Sequence, residues 1–157
     1  MMLHKLMHNP VMAWLRKPML ADCAKVVLRL AVGYIFINHG WMKIQNLELT
    51  AEFFGKLGIP MPGLMTFFIA GVEFIGGIAL IAGLATRLAA FLHASTMVVA
   101  ILTAFGLANI GSAELELLLL AASVGLLVTG AGAYSLDALL MRKGAGEHAA
   151  ALPMAKP

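Results

Sequence analysis

Four long apolar runs, parted by short polar intervals, give this chain its pattern. Residues 23–44, 64–84, 88–108 and 114–134 each hold about the 20 predominantly apolar residues that a helix needs to cross a bilayer. Asp22 stands where a side-chain cap would open the first helix. Ahead of it, residues 1–21 lack continuous hydrophobicity, and Lys5, Trp14, Arg16 and Lys17 suit a cytoplasmic, interfacial arm. No small-x-small site closes an early apolar stretch, so the arm does not read as a cleaved signal. The longest polar interval, residues 45–63, predicts a short amphipathic helix capped by Thr50. It would turn Phe53, Phe54 and Leu57 toward the membrane and end at Gly58, Pro60, Pro62 and Gly63, forming a lid on the outer face. Only Ala85, Thr86 and Arg87 part the second run from the third, which predicts a tight helical hairpin. Asn109 to Ala113 forms another short turn, and residues 141–157 form a polar tail. The expected fold is an all-α integral membrane protein, a four-transmembrane-helix bundle within residues 22–140.

Composition strengthens that reading. The chain is 61% hydrophobic and 12% charged, against about a quarter charged in soluble domains. A length of 157 residues leaves no room for a separate soluble domain beside four spans. Lys5, Arg16, Lys17, Lys25, Arg87, Arg142, Lys143 and Lys156 fall on one side of the expected spans, and Lys43 and Lys56 on the other. The positive-inside bias therefore puts both termini in the cytoplasm. The net charge of +3 reflects this orientation rather than a nucleic-acid surface, because the basic residues flank apolar spans. A single cysteine, Cys23, excludes an intramolecular disulfide and any Cys-x-x-Cys chemistry.

Ionisable residues inside the spans carry the remaining information, since lipid rejects them unless the protein receives them. Arg29, Asn38, His39 and Lys43 lie in the first span. Arg29, Gly33, Phe36, Gly40 and Lys43 follow one helical stripe, where glycine admits a neighbouring helix and charge requires that neighbour to be polar. Glu73 is the costliest group, roughly 14 Å below the outer face if its span starts at residue 64. Placed on a common bilayer frame, Arg29 and Glu73 form a central cluster, and His39, Lys43 and Glu116 an outer one. These charges can lock helix register or line a polar pocket, and the sequence leaves both readings open. Gly71, Gly76, Gly77 and Gly83 around Glu73 serve close packing. His39 and His93 sit near opposite faces, so they cannot share a haem. His93, followed by Thr96, reads as a hydrogen-bonded interior histidine. No metal site is expected: no ligand pair has the spacing of a known site, and the methionines are scattered. Phosphate-loop, nucleophile-elbow and nicotinamide fingerprints are missing.

The ordered series Arg29-x-x-x-Gly33-x-x-Phe36-x-x-His39-Gly40-x-x-Lys43, Leu57-Gly58-Ile59-Pro60, Glu73-x-x-Gly76-Gly77, Gly83-Leu84-x-Thr86-Arg87 and Gly132-x-x-Ser135-Leu136-Asp137 resembles the DoxX family of small bacterial inner-membrane proteins. The likeness covers roughly residues 25 to 140. It implies a multi-pass four-helix fold with cytoplasmic termini and an association with redox metabolism, as an oxidoreductase component or a partner of other redox proteins. Arg29, His39, Lys43, Glu73 and Asp137 carry over as a polar signature without assigned roles. The expected function is binding of a quinone or another small hydrophobic molecule in a pocket formed by Arg29, His39, Lys43, Glu73 and Glu116, with Gly33, Gly40, Gly76, Gly77 and Asp137 as structural residues. No electron carrier is visible, so electrons would come from a partner protein or from the ligand, and enzyme status stays open. A non-catalytic scaffold for a redox or stress-response partner is the alternative, and self-association is compatible with either reading. A small transporter is disfavoured by the missing inverted repeat and the expectation of unbroken helices.

Overall fold

The computed structural model describes residues 18–151, all of whose regular structure is helical. Helix α1 spans Pro18–Gln45 and α2 spans Leu47–Lys56. Helix α3 spans Pro62–Ala82 and α4 spans Thr86–Ala100, which continues into a π-helical turn at Ile101–Phe105. A 3₁₀ segment, Leu107–Ser112, leads to α5 at Glu114–Thr129, and α6 follows at Leu136–Ala151.

Glycine sets the central contact. A Cβ on Gly33 would stand 2.7 Å from the Gly77 carbonyl oxygen, and one on Gly77 would stand 2.7 Å from that of Gly33. A Cβ on Gly40 would stand 2.5 Å from the Phe74 backbone nitrogen. As α1 advances from Gly33 to Gly40, its partner on α3 recedes from Gly77 to Phe74, so the two helices run antiparallel at backbone distance. Only glycine permits this approach. Val32 and Phe36 of α1, Leu80 of α3, Ala89, Ala90 and Met97 of α4, and Leu119 and Leu126 of α5 close one apolar core.

Outside that core the apolar side chains face outward. Val27, Tyr34, Phe67, Ile75, Leu118 and Val128 are all more than half exposed. Two helical stretches, Pro62–Ala82 and Thr86–Phe105, are long and apolar enough to cross a membrane. An apolar outer surface of this kind suits lipid rather than water.

Several boundaries differ from the sequence expectation. Helix α1 already covers Pro18 to Ala21, so Asp22 lies inside it and, instead of capping, accepts from the Lys25 ammonium at 3.1 Å. That bond draws the Asp22 carboxyl below its ordinary value. Thr50 does not cap α2 either. The helix already begins at Leu47, and the Thr50 hydroxyl donates back to the Asn46 carbonyl at 2.8 Å. Helix α5 stops at Thr129 rather than at residue 134, because Gly130 and Gly132 take φ values of 72° and 80°. The polar tail is helical through Ala151. The third run is not one continuous α-helix: it widens at Ile101 and turns at Gly106, φ 68°, which corrects the expectation of unbroken helices. Of the expected arm, residues 1–21, the first seventeen lie outside the described residues and 18–21 belong to α1.

Candidate functional site

Near the end of the molecule that carries α2, His39 and Lys43 lie one turn apart on α1. Gly40, between them, holds α1 against the Phe74 backbone, next to Glu73. Lys43 is therefore one turn from the point of closest approach, and its Nζ donates to Glu73 Oε2 at 2.5 Å. The Glu73 side chain is 3% exposed and that of Lys43 is 22% exposed, so the carboxylate is sealed and the ammonium reaches toward the opening. A pair this deep contributes little net stability, because desolvation offsets the attraction, yet removing one partner costs about 3–5 kcal/mol.

The pair forms part of the wall of a cavity of about 240 Å³. His39 and Glu116 add polar groups, and Phe54, Met97 and Phe105 are among the apolar ones. Ligand sites for drug-sized molecules run from roughly 300 to 1,000 Å³, so this space takes a ring-sized group rather than a long molecule. A second cavity of about 350 Å³ shares His39, Lys43, Phe53 and Phe54 with the first and adds Asn46 and Thr50, where α1 meets α2. The site thus combines a donor at Lys43, an acceptor at Glu73 and an imidazole at His39 in a mostly apolar space. That set can orient a small carbonyl compound and move protons to or from it.

Arg29 is not part of this site, which corrects the central cluster expected from the sequence. Its guanidinium donates to the Ala131 carbonyl at 2.6 Å and the Tyr134 carbonyl at 3.0 Å, both in the irregular segment after α5. The reason is register. Depths taken from a common plane set Glu73 near Arg29, but α2 packs against α3, and the Gly40–Phe74 contact carries the start of α3 beyond the end of α1. Glu73 thereby meets Lys43, about 21 Å along α1 from Arg29.

Arg29 and Asp137 instead tie together the opposite end. The Asp137 carboxylate accepts from the Ala85 and Thr86 backbone N–H groups at 2.7 and 3.0 Å, and its own N–H donates to the Gly83 carbonyl at 2.9 Å. Ala85 has a φ of 46°, a left-handed conformation that alanine adopts at a cost, and Asp137 holds it there. Ser135 caps α6, its hydroxyl accepting from the Ala138 N–H at 3.1 Å. A Cβ on Gly83 would stand 2.6 Å from that of Ser135 and 2.7 Å from an Arg29 nitrogen. The signature residues thus divide between two ends: a pocket with His39, Lys43 and Glu73, and a clasp with Arg29, Gly83, Ser135 and Asp137.

His93 lies between the two ends and is fully buried. Its ring stacks on Phe36, centroids 3.7 Å apart and planes 13° apart, and a Cβ on Gly76 would come within 2.9 Å of it. The expected hydrogen bond is missing: the ring lies against the Val72 and Glu73 carbonyls, but neither nitrogen meets hydrogen-bond geometry. Thr96 donates to the His93 backbone carbonyl at 2.9 Å rather than to the ring. Among the described residues no group of three or more His, Cys, Asp or Glu side chains is placed to hold a metal. Sequence reasoning missed the π-helical turn, which lines the cavity through Thr103, Ala104 and Phe105. Gly106 was the available signal, placed where an apolar run changes its winding.

A family model described as DoxX matches residues 24–106, which include the pocket residues of α1 and α3 and the turn held by Asp137. The chain is 40% identical over 122 residues to a Bacillus subtilis (strain 168) protein named "Putative oxidoreductase CatD", covering 77% of this chain and 90% of that protein. It is 34% identical over 128 residues to "Inner membrane protein YqjF" of Escherichia coli (strain K12), covering 79% of this chain and 97% of that one. No solved structure matches the chain.

Proposed function

The chain belongs to the DoxX family, and from that premise we propose that it is a four-span protein of the bacterial inner membrane that serves redox metabolism. In this reading it holds the ring of a quinone, or of a similar small hydrophobic molecule, at the Lys43–Glu73 pair. The observation that carries the reading is a ring-sized, mostly apolar cavity in which a 3%-exposed carboxylate meets an ammonium. Lys43 donates to a ring carbonyl, Glu73 holds or takes a proton, and His39 passes it toward the second cavity. In this reading the electrons come from a partner protein or arrive with the ligand.

Four spans are supported by lengths and charges. Helix α1 extends about 42 Å, enough to cross, and α5 about 24 Å, with non-α segments at both of its ends to complete the distance. Arg87 and Arg142 lie at the clasp end and Lys56 at the pocket end, so the positive-inside bias puts the clasp and both termini on the cytoplasmic side. The names of the two relatives, "Putative oxidoreductase CatD" and "Inner membrane protein YqjF", support the same reading.

The test is mass spectrometry of the molecules retained when the protein is purified from its own membranes in mild detergent, with Glu73→Gln in parallel. A near-stoichiometric quinone lost from the variant is the expected result. Retention of ordinary lipid and a co-purifying protein alone would replace the pocket by an accessory-subunit role.

A further inference from the structure

The cavity at Lys43 and Glu73 has two unlike sides. On the α1 side it adjoins the second cavity, where Asn46 and Thr50 stand beside Met42 and Leu49, so this approach carries polar groups that the other side lacks. On the α4 side its wall is also part of the outer surface. Val99 lines the cavity and is 42% exposed, and Ala104 lines it and is likewise exposed. Across the gap, Phe53 of α2 lines it at 51% exposure. From Met97 to Leu107 the sequence holds no charged residue and one hydroxyl, Thr103, which donates back to the Val99 carbonyl at 2.8 Å, so the α4 rim is otherwise apolar.

The backbone changes at the same place. The Gly106 N–H donates to the Ile101 carbonyl at 2.9 Å, five residues back, which widens the helix by one residue at this turn. Gly106 then takes a φ of 68° and ends the helical run. Thr103 and Ala104 of this wide turn line the cavity.

Volume supplies the remaining step. A space of about 240 Å³ holds a ring but not a long hydrocarbon chain. We infer that the ligand is a membrane-borne molecule with a hydrocarbon tail: its ring lies at Lys43–Glu73, and its tail leaves sideways between Phe53 of α2 and the π-helical turn of α4, into the lipid. This inference rests on the quinone-type reading of the cavity. It adds the route of entry and requires a tailed ligand, so a water-soluble molecule arriving through the polar side is not the occupant.

The experiment compares two probes by titration calorimetry on the full-length protein in detergent: a dimethoxy-methyl-benzoquinone carrying a decyl tail, and the same ring without it. Ala104→Trp places bulk in the side opening. Leu102→Trp is the control, since Leu102 is 53% exposed on the same turn but does not line the cavity. Ala104→Trp should weaken the tailed probe about tenfold, as lost apolar burial along the tail would require, and leave the tail-less ring within about twofold. Leu102→Trp should change neither. Where Ala104→Trp does not fold, Ala100→Leu adds smaller bulk to the same wall and should act in the same direction. Equal weakening of both probes would place the added bulk in the ring site and overturn the side opening, as would no change in either. A wild-type protein that binds the tail-less ring as tightly as the tailed one loses the inferred route but keeps the ring site. One that binds neither loses both.

Discussion

Lys43 and Glu73 form the only ion pair among the described residues that joins two of the core helices. Because each partner neutralises the other, the two must be judged together. Glu73→Gln leaves an ammonium without its counter-charge and should lower stability by about 3–5 kcal/mol, whereas Glu73→Gln with Lys43→Met removes both charges and should recover most of that loss. Thermal unfolding in detergent checks the order of the three Tm values. Neither variant should retain the ligand, which separates the role in binding from the role in packing. Glu73 itself was legible in the sequence, since a carboxylate deep in an apolar run needs a reason to be there. Its partner was not, because the choice between Arg29 and Lys43 turns on a shift of α3 along α1 that no single residue announces. The shift follows from Gly40 and from the packing of α2 on α3, both of which are tertiary facts.

At the scale of the helices, glycines that look alike in sequence separate into two kinds. A Cβ on Gly40 would collide with the Phe74 backbone, whereas one on Gly71 meets nothing within 4 Å. Gly40→Ala should therefore destabilise the protein by about 1–3 kcal/mol through overpacking. Gly71→Ala should be neutral or stabilising by up to about 1 kcal/mol, because alanine favours the helix. Denaturation of the two variants side by side measures the difference. Asp137 acts at the same scale, closing the turn between α3 and α4. Asp137→Ala strands two backbone N–H groups and should cost about 1 kcal/mol, read as a lower Tm with ligand retention preserved, since the clasp lies away from the pocket. The apolar runs placed the long helices well, but their ends moved. The π-helical turn and the early stop of α5 depend on Gly106, Gly130 and Gly132 adopting positive φ, a freedom the sequence permits without requiring.

At the scale of the whole molecule, the polar signature resolves into a clasp and a pocket at opposite ends of a glycine-packed helix pair. The stack of Phe36 on His93 lies between them, with Leu80 and Leu126 fully buried in the same core. The clasp ties α1 at Arg29 to the ends of α3, α4, α5 and α6, and the pocket end carries the wide turn and α2. Helical class and membrane character were legible because apolar run length and charge placement report them directly. The division into two ends was not, since it needs the register of α1 on α3. The most direct test of the pocket is photoaffinity labelling of membranes containing the protein with an azido-quinone, followed by mapping of the labelled peptides. Label should concentrate on the α1 segment around Lys43 and the α4 segment from Met97 to Phe105, compete away with excess unmodified quinone, and vanish in Glu73→Gln. Label that resists competition and spreads over the exposed face of Phe67, Phe68 and Ile75 would contradict a ligand pocket at Lys43–Glu73.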